Sequence, residues 1–477
     1  MQAQTGSITT ESFEQAFIAD PRSVIDHPPE FTTTIDPAEL DAARLTVARR
    51  RFASAVESIA LVRKLADRNR ITTIEDVADL VPLLYRHGTF KSYPQSWLEN
   101  SDFDRLTRWL GKLCSADLGA VDASGCELIE EWMSVLLERS SIDLQISAGS
   151  DGKAAFLPRS RDEWAFLQRL NLWNMQAPPG GGDSVSTLRP GVDRVPLIYL
   201  GARRGARTLS RFLDFYEESF GTGLVDTLHE NTDSDLLSLA GRIRDASRKG
   251  EAGLLQIKPE LLARKDEIAR INAEQPQRLE ALIQRLATVY RDQRIICFGT
   301  MQMMHDLATK FREREIRSAY APDSLFICGG GFAGGVEPPA WKSDAAEAFG
   351  IPESSIRVGY SMQEALWTMH MCRQQKFHVP QTIVCYVLDE ADDRPLPRTG
   401  RQSGRFAFFD LATDSSWGGY ATNDHVTITW DGQCGCGRKG PFLDSPITRV
   451  SDVQDDKVSC AGTAGALEEA TDFLLKS

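Results

Sequence analysis

No stretch of this chain approaches the roughly 20 consecutive apolar residues that a bilayer-spanning helix needs, so no span is expected. Positive charge is also in short supply. Against 67 Asp and Glu stand 54 Lys and Arg, a formal net charge of −13. That balance disfavours non-specific attraction to nucleic acid or to an anionic membrane surface. It leaves open a local positive site for a small anion. Cysteine is too sparse and, at nine residues, too odd in number for a disulfide framework. The start, Met1 to Glu11, lacks the basic-then-apolar order of a signal peptide. A cytoplasmic protein is the expectation. Internal repeats and low-complexity tracts are missing too.

What is present suits a folded protein with more than one domain or subdomain: 477 residues, 42% hydrophobic and 25% charged. Residues 1–35 show no sustained period and read as a frayed arm. From Pro37 to Ala66 the spacing of Leu45, Val47, Phe52, Val56, Ile59 and Val62 suits amphipathic helices. Thr72 to Val81 reads as a helix entry with Thr73 and Glu75 near the cap, and helical patterning resumes from Phe103 to Leu137. Residues 36–140 are therefore expected to be a helical region. Beyond them Leu197–Leu200 and Ile295–Phe298 look like buried strands, each followed by a helix. That alternation predicts an α/β core over 141–443. Short strands follow at Leu325–Cys328, Ile383–Leu388, Arg405–Asp410 and His425–Trp430, and a short tail occupies 444–477.

Four turns have the composition of nucleotide-binding loops. In Ser147-Ala-Gly-Ser-Asp-Gly-Lys153, small residues let backbone N–H groups curl around phosphate oxygens; Ser147 and Ser150 add hydroxyls and Lys153 a charge. Ordinary Ser/Gly turns look the same. A strand running into Gly329, Gly330 and Gly331 leaves an open floor for a flat ring or acyl chain. In Tyr360-Ser-Met-Gln-Glu364 an aromatic suited to stacking on a base precedes an acid suited to Mg²⁺. Asp424 ends the stretch Tyr420-Ala-Thr-Asn-Asp424 and is suited to accept both ribose hydroxyls. Arg449 is placed to contact ribose or phosphate, or to form a surface ion pair.

In order and spacing these turns resemble the adenylate-forming superfamily, which joins carboxylic acids to AMP. The likeness is to acyl-protein synthetases of bacterial bioluminescence (LuxE-type) and to phenylacetate–CoA ligases, over roughly residues 70–460. Leu80-Val-Pro-Leu-Leu84 with Phe90-Lys91 looks like the family's early segment. The resemblance implies an α/β fold of mixed sheets flanked by helices, the superfamily's large N-terminal domain. It further implies that Ser147, Gly149, Ser150, Gly152 and Lys153 hold phosphates, with Gly329–Gly331 at the glycine strand end. Glu364 would hold Mg²⁺, Tyr360 the adenine and Asp424 the ribose of ATP, with Arg449 at the family's following arginine. Two residues depart from the pattern: Asp151 stands where threonine is usual, and Gln363 replaces the threonine before the acid. The chain also stops soon after Arg449, where most members carry a mobile domain with a catalytic lysine; Lys457 is the available substitute.

Cys372 and His378, then Cys434 and Cys436, supply three thiolates and one imidazole, the donor set of a tetrahedral Zn²⁺ site. His370 lies close enough to Cys372 to replace His378. Some phenylacetate–CoA-ligase-like proteins carry a similar structural Cys…His…Cys-x-Cys arrangement, so a small zinc-ribbon-like element is expected. Cys460 is a candidate acyl acceptor, as a cysteine near the C terminus is in LuxE-type proteins, or else a small residue docking the tail. The expected activity is AMP-forming activation of a carboxylic acid. The acyl group then passes to a thiol on Cys460, CoA or a carrier protein, with an acyl reductase among the partners that the resemblance suggests. A non-catalytic subunit of the same fold is the other reading.

Overall fold

The computed structural model of the chain describes residues 9–32, 35, 37–147, 153–176, 188–250, 257–317, 319–332 and 337–449. Gly149, Ser150, Asp151, Gly152, Lys457 and Cys460 lie outside these residues.

A six-stranded sheet follows the alternation read from the sequence. Its order is Val225–Asn231, Leu197–Arg204, Ile296–Thr300, Leu325–Gly329, Ile356–Ser361 and Thr368–His370. The first five strands are parallel and the last is antiparallel. Their apolar runs have little alternation because helices cover both faces of such a sheet. Those helices include Arg161–Gln176, Thr208–Phe220, Met301–Glu313 and Trp341–Phe349. The chain passes from Leu197–Arg204 outward to Val225–Asn231 and then back to Ile296–Thr300 on the other side. The reversal of strand order falls between Leu197–Arg204 and Ile296–Thr300, and Gly329 and Tyr360 lie toward the carboxyl ends of the next two strands.

The second sheet is seven-stranded and mostly antiparallel. Lys376–His378, Phe442–Asp444, Gly419–Thr429, Arg401–Asp410 and Ile383–Leu388 pair in that order. Tyr85–Arg86 joins Gly419–Thr429 in parallel at Tyr85↔Tyr420, and Thr448–Arg449 joins it in antiparallel at Asp424↔Arg449. The N-terminal helical region thus contributes a strand to this sheet. A separate hairpin pairs Ile142–Ser147 with Ala155–Ser160. One hydrophobic core runs from Phe13 through Phe52, Trp132 and Phe326 to Leu443.

Two expectations are corrected. Within the segment read as a frayed arm, Thr10–Ala19 is a helix whose Phe13 and Phe17 are fully buried. Phe13 packs edge-on against Phe31 at 5.8 Å, and Arg50 on the long helix Asp41–Ser58 donates to the Ala19 carbonyl at 3.2 Å. Two aromatics four residues apart lie on one helix face, which is enough to dock ten residues once a partner surface exists. The turn after Thr72 becomes a 3₁₀ helix, Val77–Leu83, capped by Asp76, which accepts from the Ala78 amide at 2.8 Å; Thr73 and Glu75 lie upstream of it.

Candidate active site and metal centre

Tyr420, Thr422 and Asp424 lie on Gly419–Thr429, whose pairing with Arg401–Asp410 is irregular between Ala421 and His425. The strand Ile356–Ser361 delivers Tyr360. Its hydroxyl donates to Asp424 Oδ2 at 2.7 Å. Arg449 Nε lies 3.4 Å from Asp424 Oδ1, held there by the β pairing of the two residues. The Asp424 amide donates to Thr422 Oγ1 at 2.9 Å, which fixes the backbone below the carboxylate. The Tyr360 ring sits among Trp367, Phe377 and Phe406, with centroids 5.5 to 6.0 Å away, and stays half-buried.

Glu364 lies on the turn between Ile356–Ser361 and Thr368–His370. The Tyr420 hydroxyl donates to Glu364 Oε1 at 3.3 Å and is equally far from His87 Nδ1. Burial pushes the Glu364 carboxyl above its ordinary range, with Lys91, the Tyr420 hydroxyl and Arg159 acting the other way. A half-buried acid in this setting gains from any cation that reaches it. Tyr360, Asp424 and Arg449 are thus joined to one another, and Glu364 is held to the same strand by Tyr420.

The hairpin bearing Ser147 and Lys153 is anchored to the same turn. Arg159, 1% exposed, donates from Nε to Gln145 Oε1 at 3.0 Å and from Nη2 to the Gln363 carbonyl at 2.5 Å. Gln145 Nε2 donates to Gln363 Oε1 and, at 2.6 Å, to Thr208 Oγ1. The residue beside Glu364 and the base of the Ser147–Lys153 loop therefore share one buried polar cluster. Gln363, a departure from the resembled pattern, is a member of it. Lys153 is turned toward Tyr93: its ammonium lies 4.4 Å from the ring centroid and donates to the Tyr93 carbonyl. Gly329 packs so closely on the next strand that a Cβ would stand 2.8 Å from the Gly359 carbonyl; Gly330 and Gly331 have φ of +74° and +62°. Phe332 and Trp341 follow with ring centroids 5.7 Å apart, whereas Trp367 packs instead with Tyr360, Phe406 and Phe408.

The sequence reading missed Tyr420, His87, Gln145 and Arg159. Tyr420 had a signal in it, since it stands four residues before Asp424 on the same strand. The other three become neighbours of the site only through tertiary packing.

The cysteine–histidine set gathers in one place. Ligand atoms of Cys372, His378, Cys434 and Cys436 all lie within 4.8 Å of one another. Cys372 Sγ and Cys434 Sγ are 3.9 Å apart, and Cys436 Sγ is 3.3 Å from His378 Nε2. A tetrahedral Zn²⁺ with Zn–S near 2.3 Å would set sulfurs about 3.8 Å apart, so the spacing fits an ion. Two turns of matching build make it. The Cys372 amide donates to the Lys376 carbonyl and the Cys434 amide to the Arg438 carbonyl. The third residue after each cysteine is left-handed, Gln375 at φ +55° and Gly437 at +97°. Pairing of His378 with Phe442 across two short strands then brings the imidazole in. Burial, with Arg438 adding, lowers the His378 pKa to about 3, which keeps the ring neutral as a ligand must be. His370 lies on another strand, outside the cluster.

Among the described residues, no helix is long and apolar enough to cross a membrane. By sequence the chain matches no family profile and no curated protein. By fold it resembles 2-hydroxyisobutyryl-CoA ligase. Against the open conformation of that enzyme in complex with 2-HIB-AMP and CoA, the TM-score is 0.51 at 16% identity, covering 88% of this chain and 77% of that one. Against the same ligase with those ligands in the thioesterification state, the TM-score is 0.52 at 17% identity, covering 88% and 70%. The likeness is one of fold: an α/β architecture of mixed sheets flanked by helices.

Proposed function

We propose that the chain activates a carboxylic acid with ATP, forming an acyl-adenylate that is passed to a thiol. The observation that carries this reading is a pair of hydroxyl–carboxylate bonds between the two sheets, from Tyr360 to Asp424 at 2.7 Å and from Tyr420 to Glu364 at 3.3 Å. The fold likeness to a ligase solved with an acyl-AMP and CoA supports the same reaction class.

In this reading the substrate carboxylate attacks the α-phosphorus of ATP in line, the α–β bridging P–O bond breaks, and pyrophosphate leaves with the electron pair. A thiolate then attacks the acyl carbon and AMP leaves. Asp424 keeps acceptor capacity beyond Tyr360 and Arg449, since a carboxylate offers about four lone-pair sites, and that capacity suits two ribose hydroxyls. Tyr360, caged on its sides, offers its accessible part to the adenine. Glu364 would hold Mg²⁺, which when bound neutralises phosphate charge. Ser147, Gly149, Ser150, Gly152 and Lys153 would line the phosphates, Lys153 by turning from Tyr93. Gly329–Gly331, with Phe332 and Trp341 beyond, would floor the acyl group. The work of these groups is positioning and charge stabilisation.

Zn²⁺ at Cys372, His378, Cys434 and Cys436 is proposed as structural, because four protein donors fill the tetrahedral positions and leave none open for a substrate. For the acceptor we propose a thiol, either Cys460 with Lys457 favouring its ionisation or the pantetheine of CoA or of a carrier protein. A panel of carboxylic acids, assayed for ATP-dependent hydroxamate formation, tests the reaction. One or more acids should give hydroxamate and AMP in equal amounts; ATP hydrolysis to ADP, or no product with any acid, would overturn the reading. Labelled acid remaining on the denatured wild-type chain but not on Cys460→Ala identifies the acceptor as Cys460, and label appearing only on added CoA excludes it.

A further inference from the structure

Glu364 hangs from a turn whose backbone is gripped on both sides by buried charged side chains. Before it, Arg159 donates to the Gln363 carbonyl at 2.5 Å. After it, Asp410 Oδ2 accepts from the Leu366 amide at 2.7 Å. Arg159 is 1% exposed and Asp410 is fully buried. Between the two holds the Ala365 amide donates to the Met362 carbonyl at 3.3 Å, which closes the turn on itself.

Asp410 ends the strand Arg401–Asp410 of the seven-stranded sheet, whereas Leu366 lies between the last two strands of the six-stranded one. The bond is therefore a tie between sheets. The other carboxylate oxygen, Oδ1, accepts from the Ala412 amide at 3.0 Å. Burial pushes the Asp410 carboxyl up to about 6, with both amides and Arg159 acting the other way and Glu163 adding to the rise. At neutral pH it stays ionised, an acceptor on both oxygens. A buried carboxylate is costly unless hydrogen bonds repay it, and an apolar side chain of similar size would avoid that cost. What it adds is a simultaneous hold on two backbone segments: the Glu364 turn and the loop after its own strand. That loop reaches further, since the Asp414 and Ser415 amides donate to Glu163 Oε1 at 2.7 and 2.9 Å. Glu163 Oε2 in turn accepts from the amide of Ser160, at the end of the hairpin that carries Ser147 and Lys153, at 3.1 Å.

We propose that Asp410 is a positioning residue for the adenylation reaction: through the Leu366 amide it fixes the turn that aims Glu364, while Arg159 holds the other end of that turn. The proposal rests on the ligase reading above, in which Glu364 holds the metal of the nucleotide. Asp410 acts through Glu364 and not by contact with the reacting atoms. With Asn at this position one of the two amides faces an NH₂ group instead of an oxygen, and the turn is released on one side. A displacement of about 1 Å in a positioned group can cost about 10²-fold in rate.

A double-mutant cycle tests this. Pyrophosphate exchange, driven by an acid that forms hydroxamate with the wild type, would be measured for the wild type, Asp410→Asn, Glu364→Ala and the double variant. Asp410→Asn alone should lower kcat by about 10- to 100-fold and leave KM for ATP within about threefold, because Tyr360 and Asp424 bond to each other and not to it. In the Glu364→Ala background the same substitution should change the rate by less than about twofold, since the group it aims is gone. An equal loss in both backgrounds, as a merely structural role would give, overturns the proposal. Phe17→Leu, in the core beneath the first helix, controls for stability: its melting temperature should fall with kcat kept within about twofold. A kcat loss there as large as that of Asp410→Asn overturns the proposal too. Should Asp410→Asn fold poorly by far-ultraviolet circular dichroism, Asp410→Ser serves. Deuterium uptake over residues 362–368 is read without catalysis. It should quicken about tenfold at the Leu366 amide in Asp410→Asn, and unchanged uptake overturns the proposal. A wild type inactive with every acid overturns the ligase reading instead, and deuterium uptake then decides whether Asp410 holds the turn.

Discussion

The metal cluster and the candidate nucleotide site are built by opposite routes. Cys372 and Cys434 each head a turn that closes on the residue four positions later, with a left-handed residue at the third. Two copies of one local device therefore orient the thiols, and pairing of Lys376–His378 with Phe442–Asp444 brings the two turns together. Tyr360, Glu364, Asp424 and Arg449 have no such device. They meet because a mostly parallel sheet and a mostly antiparallel sheet pack together, with bonds 64 residues long from Tyr360 to Asp424 and 56 from Tyr420 to Glu364. The contacts across the metal cluster, 62 and 58 residues long, differ in having a shaped turn at each cysteine rather than in sequence distance. A locally coded site tolerates distant change and fails as a unit, whereas a topologically coded one can lose a single function while the fold survives. The two regions touch through Phe377, the residue before His378, which packs on Tyr360 at 6.0 Å.

Mutations should separate the two regions. Glu364→Ala is expected to lower acid-dependent pyrophosphate exchange by about 10²–10³-fold, the scale for removing one charge-stabilising group, with little change in melting temperature because the acid it removes is buried at a cost. Asp424→Ala should weaken ATP by roughly 10- to 100-fold, as expected for losing hydrogen bonds to a charged acceptor, seen as a rise in KM for ATP. Cys436→Ser should reverse the pattern. Bound zinc should fall below one per chain by metal analysis and the melting temperature by roughly 5–10 °C, while exchange at 25 °C changes less than that of Glu364→Ala. Loss of exchange with an unchanged melting temperature in Cys436→Ser would erase the distinction.

A pH profile sharpens it further. Burial raises the Glu364 pKa from its ordinary value of 4.5. If the ionised acid is the working form, activity falls as pH drops through that raised value, so the acid limb should have its midpoint above 4.5; Glu364→Gln should lose the limb along with most activity. Arg449→Ala should do least, within about threefold, since its half-exposed ion pair is worth about 0–1 kcal/mol.

Local chemistry was the part legible in sequence. Ile383–Leu388 announced itself as an unbroken apolar run, and the Cys-x-Cys pair and its distant partners by donor type and spacing. His378 was named from the sequence with His370 as its alternative, and what excludes His370 is pairing of Lys376–His378 with Phe442–Asp444. Thr10–Ala19 was invisible for a similar reason: ten residues are too few to show a period, and their stability comes from what Phe13 and Phe17 dock against. No spacing in the sequence separates Trp367 from Phe332 and Trp341; the antiparallel turn after Ser361 carries it beside Phe406 and Phe408. Gln363 looked like a departure from a pattern, and only Gln145 and Arg159 explain what it does.

Calorimetric titration of the wild-type chain with MgATP, beside Tyr360→Ala, Glu364→Ala and Asp424→Ala, tests the convergence of these strands most directly. Saturable one-to-one binding by the wild type, weakened in all three variants, is the predicted result. Absence of binding by the wild type, or binding that all three variants retain in full, would contradict it.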